Sequence, residues 1–183
     1  VMNPYDIPSP FHTRRFTFYF EAKDIPGCGY RTFIVRSKDT ELVNYGSMMP
    51  ENHVLENEYL RVEFNPNGTF NLTHKTKGRT FPNCHFFEDD AEAGDPWTRI
   101  EPLQNRKVSS LGSAAKISIV EDGELQSTVK IELEMQIPKS LTSDKGKRSE
   151  ELVTLPISSL ITLQKGSPRL DIVTHFENNA WDH

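Results

Sequence analysis

The sequence predicts an all-β protein built from antiparallel sheet. Three observations lead there. Apolar residues recur at every second position in nearly every ordered-looking stretch. Turn-forming Asn, Gly and Pro separate these stretches at hairpin distances. No window carries a 3.6-residue apolar stripe with helix caps.

The elements follow in order. Phe16, Phe18 and Phe20 alternate with Thr17 and Tyr19 and read as an early strand. The segment from Ser37 to His53 is polar and irregular, with Gly46, Met48, Met49 and Pro50, and marks a boundary. Residues 1–45 are therefore expected to form part of one small β-sandwich, and residues 52–183 the start of a larger antiparallel one. Leu60, Val62 and Phe64 alternate with Arg61 and Glu63, then return as Phe70 and Leu72. The turn Asn65-Pro66-Asn67-Gly68 joins them, because Asn and Gly tolerate the positive φ a tight reversal needs. Asn67-Gly68-Thr69 and Asn71-Leu72-Thr73 both match the glycosylation sequon. With no sign of secretion, the turn role of Asn67-Gly68 is the better reading.

Thr80 to Phe87 reads as a further strand. Val129, Ile131, Leu133, Met135 and Ile137 alternate with Lys130, Glu132, Glu134 and Gln136, the longest clean stripe in the chain. Its expected partner is Ala115 to Val120, joined through Glu121-Asp122-Gly123-Glu124. Ser140 to Glu151 reads as a charged connecting loop. A third hairpin pairs Ser158 to Leu163 with Leu170 to Phe176 across Lys165-Gly166-Ser167-Pro168.

Composition narrows the function classes. The chain has 183 residues, 36% of them hydrophobic, and a mean hydropathy of −0.57, which suits strands with one wet face. The net charge of −5 comes from 21 basic and 26 acidic residues with interspersed signs. No basic stripe is present to neutralise phosphates, so nucleic acid is not an expected partner. No apolar run has the length of a membrane span and no secretory signal is visible, so no membrane partner and a cytoplasmic location are expected. The chain starts at Val1 and stops at Asp182-His183 without a closing turn, and reads as a piece of a longer protein. Cys28 and Cys84 lack metal-like spacing and read as two separately buried thiols. His12, His53, His74, His85, His175 and His183 form no metal signature and read as surface or hydrogen-bonded structural residues. Asp171 and Glu177, with Asp95, are the carboxylates from which a glycosidase pair could be drawn, although a structural role is favoured.

The most distinctive stretch is Glu88 to Trp97, which places Glu88, Asp89, Asp90, Glu92 and Asp95 within ten residues beside Gly94, Pro96 and Trp97. It cannot be a strand, since Pro96 removes a donor and Gly94-Asp95 favours a turn. Two readings stand: a solvated acidic loop, or a sugar-facing loop whose carboxylates accept from hydroxyls while the indole covers a ring face.

The run Leu-Glu-Asn-Glu-Tyr-Leu-Arg-Val-Glu-Phe-Asn-Pro-Asn-Gly-Thr-Phe-Asn-Leu-Thr-His-Lys-Thr-Lys-Gly-Arg from Leu55 to Arg79 resembles the opening of the C-terminal β-domain of glycoside hydrolase family 38, the zinc-dependent α-mannosidases. Phe87 to Trp97 resembles that family's acidic loop. Gly166-Ser-Pro-Arg-Leu-Asp-Ile and Phe176-Glu-Asn-Asn-Ala-Trp-Asp-His183 resemble its later segment, and Val1-Met-Asn-Pro with Asp24 to Tyr30 resembles the preceding linker sandwich. The resemblance implies a partial galactose-mutarotase-like supersandwich preceded by part of a small β-sandwich. It implies a parent enzyme that is a retaining α-mannosidase, acting on an N-glycan-type oligosaccharide or a small solute such as mannosylglycerate. The family's nucleophile, acid and zinc ligands lie in an N-terminal domain, and nothing here matches them. No catalytic residue, metal ligand or cofactor is therefore expected in this chain; zinc belongs to the parent, and the missing N-terminal catalytic domain is the expected protein partner. Gly94, Asp95 and Trp97 are implied to be substrate-proximal. Pro96-Trp97 stands where many relatives have an acidic residue and a tyrosine, so the resemblance by itself fixes no specific hydroxyl contact.

Two other classes compete. A free-standing carbohydrate-binding module would use Trp97, Tyr30 and Trp181 as stacking platforms, and a structural spacer would bind nothing. The hairpin ending at Phe176 is expected to leave an open sheet edge, a template for an edge-mediated dimer.

Overall fold

The computed structural model describes residue 15 and residues 17–36, 46–95 and 97–182. Phe16, Pro96, His12, His183, the Val1-Met-Asn-Pro motif and residues 37–45 of the expected boundary lie outside them. The chain divides into two units, Val1–Asp39 and Thr40–His183, taken here one at a time.

In the first unit the expected strand is not found among the described residues. Residues 17–36 contain one turn, closed by the Gly29 N–H donating to the Pro26 carbonyl at 3.1 Å. Phe18, Tyr19 and Phe20 are 55%, 55% and 54% exposed, so the alternation separates no buried face from a wet one. Period two specifies a strand where a partner ladder and a covered face exist, and neither is found among the described residues.

The second unit is an antiparallel β-sandwich, whose described residues form ten strands: β1 (Val54–Glu56), β2 (Leu60–Phe64), β3 (Phe70–His74), β4 (Arg79–Cys84), β5 (Glu88–Asp89), β6 (Val108–Ser109), β7 (Ala115–Glu121), β8 (Gln126–Pro138), β9 (Leu152–Gln164) and β10 (Leu170–Phe176). One sheet runs β1-β2-β3-β4, the facing sheet runs β10-β9-β8-β7, and β5-β6 is a small separate ribbon. The only helical pieces among the described residues are the 3-10 turns Lys75–Lys77 and Ser110–Gly112.

All three expected hairpins form. β2 and β3 pair with Val62 opposite Leu72, β7 and β8 with Ile117 opposite Ile131, and β9 and β10 with Ile161 opposite Ile172. The longest ladder, β8 with β9, runs unbroken from Gln126↔Gln164 to Pro138↔Leu152. Its inward residues Val129, Ile131, Leu133, Met135, Ile137, Ile157, Ile161 and Leu163 join Leu55, Leu60, Val62, Phe64 and Phe70 in one core. Gly68 lets the sheets close. Its φ is +84°, and a Cβ there would lie 3.1 Å from both Ile131 and Leu133.

Prolines sit where the ladder tolerates them. Pro82 is on the edge strand β4. Pro156 lies one residue beyond the last β9–β10 pair, Phe176↔Ile157, so the donor it lacks points to where β10 is ending. The strand expected to continue to Phe87 stops at Cys84. His85 takes φ +66° and turns the chain, which brings the Phe87 side chain against the core. The His85 ring then bridges the sheets: Nδ1 is 3.0 Å from the Gly68 carbonyl and Nε2 is 2.8 Å from Ser159 Oγ. Asn57 makes a second bridge, donating through Nδ2 to the Gln164 and Ser167 carbonyls at 2.7 and 2.8 Å.

The cysteines depart from expectation. Both are free, but Cys28 is exposed and Cys84 only half-buried, because one lies in the 26–29 turn and the other at the end of an edge strand.

Truncating the core should be costly where the sheets face each other. Ile161, fully buried on β9, is expected to cost about 2–5 kcal/mol as Ile161→Ala, whereas Glu134→Ala on the outer face should stay within about 0.5 kcal/mol. Urea unfolding midpoints of the two variants check this.

Candidate functional site

The acidic segment was expected to hold no strand, but its first two residues, Glu88 and Asp89, form β5 because Ser109 and Val108 give them a ladder partner. The rest is a finger rising from the β5-β6 ribbon. Its base is set by Glu88↔Ser109 and Asp89↔Val108 and by a buried guanidinium. Arg148, its side chain 1% exposed, forms an ion pair with Asp89 and donates through Nη1 to the Asp89 and Arg106 carbonyls at 3.3 and 2.8 Å. Both roots of the finger are thereby clamped to the β8–β9 connection. The Arg148 Nε is buried with no partner among the described residues. The charged loop Ser140–Glu151 is thus not merely solvated, since it delivers the cation that allows Asp89 to be buried.

Above the base, the acidic residues are neutralised one by one. Asp90 accepts from Asn105 Nδ2 and pairs with Arg99 at 2.5 Å and Lys107 at 3.2 Å. The Asn105 hydrogen bond, reinforced by Lys107 and Arg99, outweighs desolvation and holds the Asp90 carboxyl down at about 2. Lys107 also reaches Glu88 at 3.5 Å, and Arg99 reaches Glu101 at 3.1 Å.

The tip is built by side chains bonding to backbone. Glu92 Oε1 accepts from the Gly94 and Ile100 N–H groups at 2.7 and 2.8 Å, and these bonds hold its pKa below the usual carboxylate range. Ala93 N–H donates to the Ile100 carbonyl at 2.8 Å, and Asp95 and Thr98 exchange backbone bonds at 3.2 and 3.3 Å. Asp95 Oδ1 caps the reversal, accepting from Trp97 and Thr98 N–H at 2.9 and 2.8 Å, an Asx-turn. A Cβ on Gly94 would fall 1.9 Å from the Thr98 carbonyl oxygen, so only glycine fits.

Gly94, Asp95 and Trp97, the residues singled out from the sequence, therefore share one hydrogen-bonded tip. Trp97 is 92% exposed, with Ile100 and Leu103 also open at 53% and 97%. Asp95 spends one carboxylate oxygen on the turn. The other carboxylates considered are occupied elsewhere or apart from the finger: Asp171 pairs with Arg169 at 2.8 Å, and Glu177 lines a hollow of about 710 Å³ on the outer face of the β7–β10 sheet, with Lys116, Glu132, Glu134 and His175. Of the other aromatics, Trp181 has Lys139 Nζ 4.9 Å from its ring centroid, and Tyr30 belongs to the first unit. Arg148, Asn105, Arg99 and Lys107 escaped the sequence reading. The signal available was a run of five carboxylates that could not fold back without cations, with Arg99 and Lys107 directly downstream.

Residues 55–180 match the C-terminal domain of the family 38 glycosyl hydrolases. The chain belongs to that family. It is 24% identical to the "Putative mannosylglycerate hydrolase" of Halalkalibacterium halodurans, over 98% of this chain and 22% of that protein. In fold it is similar to an α-mannosidase from Enterococcus faecalis V583 (TM-score 0.70, 22% identity, 73% of this chain and 17% of that one). A second family 38 protein from Enterococcus faecalis gives a TM-score of 0.74 at 21% identity, over 79% and 19% of the two chains. The chain thus spans about a fifth of the length of these relatives. Among the described residues of this family 38 β-domain no three His, Cys, Asp or Glu side chains converge to hold a metal ion. No helix among them is long and apolar enough to cross a membrane.

Two outcomes are expected for the finger. Gly94→Ala should open the tip, seen as loss of the slow amide exchange of Ala93 and Thr98, with the unfolding midpoint of the sandwich nearly unchanged. Asp90 has a depressed pKa, so its contribution is complete above about pH 4 and is lost as pH falls towards about 2. The Asn105 side-chain amide resonances should titrate with a midpoint near 2 and not near 4, and Asp90→Asn should abolish the transition.

Proposed function

We propose that this chain is the non-catalytic β-domain part of a retaining, zinc-dependent α-mannosidase, and that its acidic finger lines the mannoside site of the parent enzyme. The observation that carries the reading is Trp97. An indole 92% exposed, on a tip braced by hydrogen bonds from Glu92 and Asp95, is arranged to be covered by something outside this chain. Apolar area left in water is unfavourable by roughly 25 cal/mol per Å², and a tip this ordered gives up little further entropy when its partner arrives. Family membership supports a sugar and a catalytic domain as what it meets. The share of the relatives' length left unmatched gives room for the nucleophile, the acid and the zinc ligands.

In this arrangement the indole face packs on the apolar face of a mannose ring and the free Asp95 Oδ2 accepts from a hydroxyl. The curated relative's name favours a small mannoside such as mannosylglycerate over a branched oligosaccharide. The alternative of an independent carbohydrate-binding module has less support, because Lys139 lies over the Trp181 ring, one of the platforms it would use.

The test is made in the full-length parent. Asp95→Asn keeps the oxygen that caps the turn and removes the charge. It should lower kcat/KM about tenfold to a hundredfold, as expected for one charge-assisted hydrogen bond of about 1.5–3 kcal/mol, and Trp97→Ala should also lower it. Full activity in both variants would overturn the placement of the finger. The isolated chain should leave an aryl α-mannoside unhydrolysed and give no saturable heat with mannose or mannobiose; saturable binding would favour the module.

A further inference from the structure

Asn67 is the only asparagine in the chain that precedes a glycine. Such a pair can react with itself and water alone. Gly68 has no side chain to shield its nitrogen, and that nitrogen can bond to Asn67 Cγ. The Cγ–Nδ2 bond then breaks, and Nδ2 leaves as ammonia with the proton of the Gly68 N–H. The cyclic imide that remains takes up one water. Opening on one side gives aspartate. Opening on the other gives isoaspartate, in which the main chain runs through Cγ.

The fold ties down every group this reaction must move. Gly68 N–H donates to the Asn65 carbonyl at 3.0 Å, which fixes the peptide plane whose nitrogen would attack. Asn67 Nδ2, the leaving nitrogen, donates to the Leu111 carbonyl at 3.0 Å. Asn67 Oδ1 accepts from Thr69 N–H at 3.1 Å and from the Thr69 hydroxyl at 2.8 Å. Thr69 is itself fully buried, and its hydroxyl oxygen accepts from Asn65 Nδ2 at 2.9 Å. The turn cannot swing as a unit either. Ala115 N–H donates to the Pro66 carbonyl at 2.9 Å, and His85 Nδ1 lies 3.0 Å from the Gly68 carbonyl.

We infer that Asn67 is a deamidation site that the fold keeps closed: it reacts when the β2–β3 hairpin opens and records that opening irreversibly. The products do not fit back into the turn. Aspartate at position 67 has no donor for the Leu111 carbonyl and sets an acceptor oxygen against it. Isoaspartate lengthens the main chain by one carbon beside Gly68, where even an added Cβ would lie 3.0–3.1 Å from Ala115, Ile131 and Leu133. An opened chain that has reacted is therefore lost to the folded population, which makes this hairpin a point of kinetic stability. The inference is independent of the sugar-site reading.

Peptide mapping by mass spectrometry of the 183-residue chain, incubated with and without guanidinium chloride at one pH, tests this. Conversion at Asn67 should be at least about a hundredfold slower in the folded chain, where it waits on local opening. Thr69→Val keeps the size of the buried side chain and removes the hydroxyl that holds Oδ1. It should raise the folded-state rate about threefold to tenfold and leave the rate in guanidinium unchanged. Ile161→Val weakens the core without touching the turn and should leave the folded-state rate as it is. Chains carrying isoaspartate should not recover the native unfolding midpoint after dilution from guanidinium, followed by far-UV circular dichroism. Equal rates in folded and unfolded chain would overturn the inference. So would a Thr69→Val rate that is unchanged or lowered, the latter meaning that the bonds to Oδ1 assist the attack. A rise with Ile161→Val equal to that with Thr69→Val, or isoaspartate chains that refold with the native midpoint, would overturn it as well.

Discussion

The inner faces of β8 and β9 have to be covered. Each strand is thirteen residues long; alternate residues Val129 to Ile137 of β8, and Ile157, Ile161 and Leu163 of β9, are aliphatic with exposure of 4% or less. Each such side chain is worth roughly 1.5–3 kcal/mol when buried, so a single four-stranded sheet carrying this stripe would be unstable in water. The β1–β4 sheet supplies the cover, and much of the remaining geometry serves that closure. Gly68 is glycine because the turn above it comes within van der Waals reach of Ile131 and Leu133. Asn57 and His85 stand at the rims, where backbone carbonyls would otherwise lose water without gaining a donor.

The finger sits outside that core and obeys a different rule. Its acidic residues cannot be tucked against apolar strands unpaired, because an uncompensated buried charge costs several kcal/mol. The chain answers with cations from two directions. Arg99 and Lys107 come from the descending limb of the finger itself. Arg148 comes from a distant connection and is the one that anchors the base. The result is neither a floppy acidic loop nor a core element. It is a projection whose carboxylates are largely spent on ion pairs and hydrogen bonds, leaving Trp97 and one oxygen of Asp95 at the tip. Those are the groups that the proposed positioning role would use.

Edges connect the two themes. A sheet that must be covered on one face still has open sides, and three edge strands carry shortness, proline, lysine or irregular register, while β10 keeps a regular register with β9.

The sequence by itself determined the all-β class, the three hairpins with their turns, the family, and the location of Gly94, Asp95 and Trp97 on one exposed reversal. These are local properties: period two, a Gly or Asn where φ turns positive, and a motif read in order along the chain. Other features were decided only by the tertiary structure. The alternation at Phe18 and Phe20 matched a strand pattern yet forms none among the described residues, since a ladder depends on a neighbour that a pattern cannot supply. Cys28 is exposed, although cysteine is commonly buried, because it lies in a turn. Arg148 looked like one more charge in a polar loop, but folding carries it 59 positions back along the chain to Asp89. Burial of an ion pair depends on which groups meet in space, and separation along the sequence does not encode that meeting.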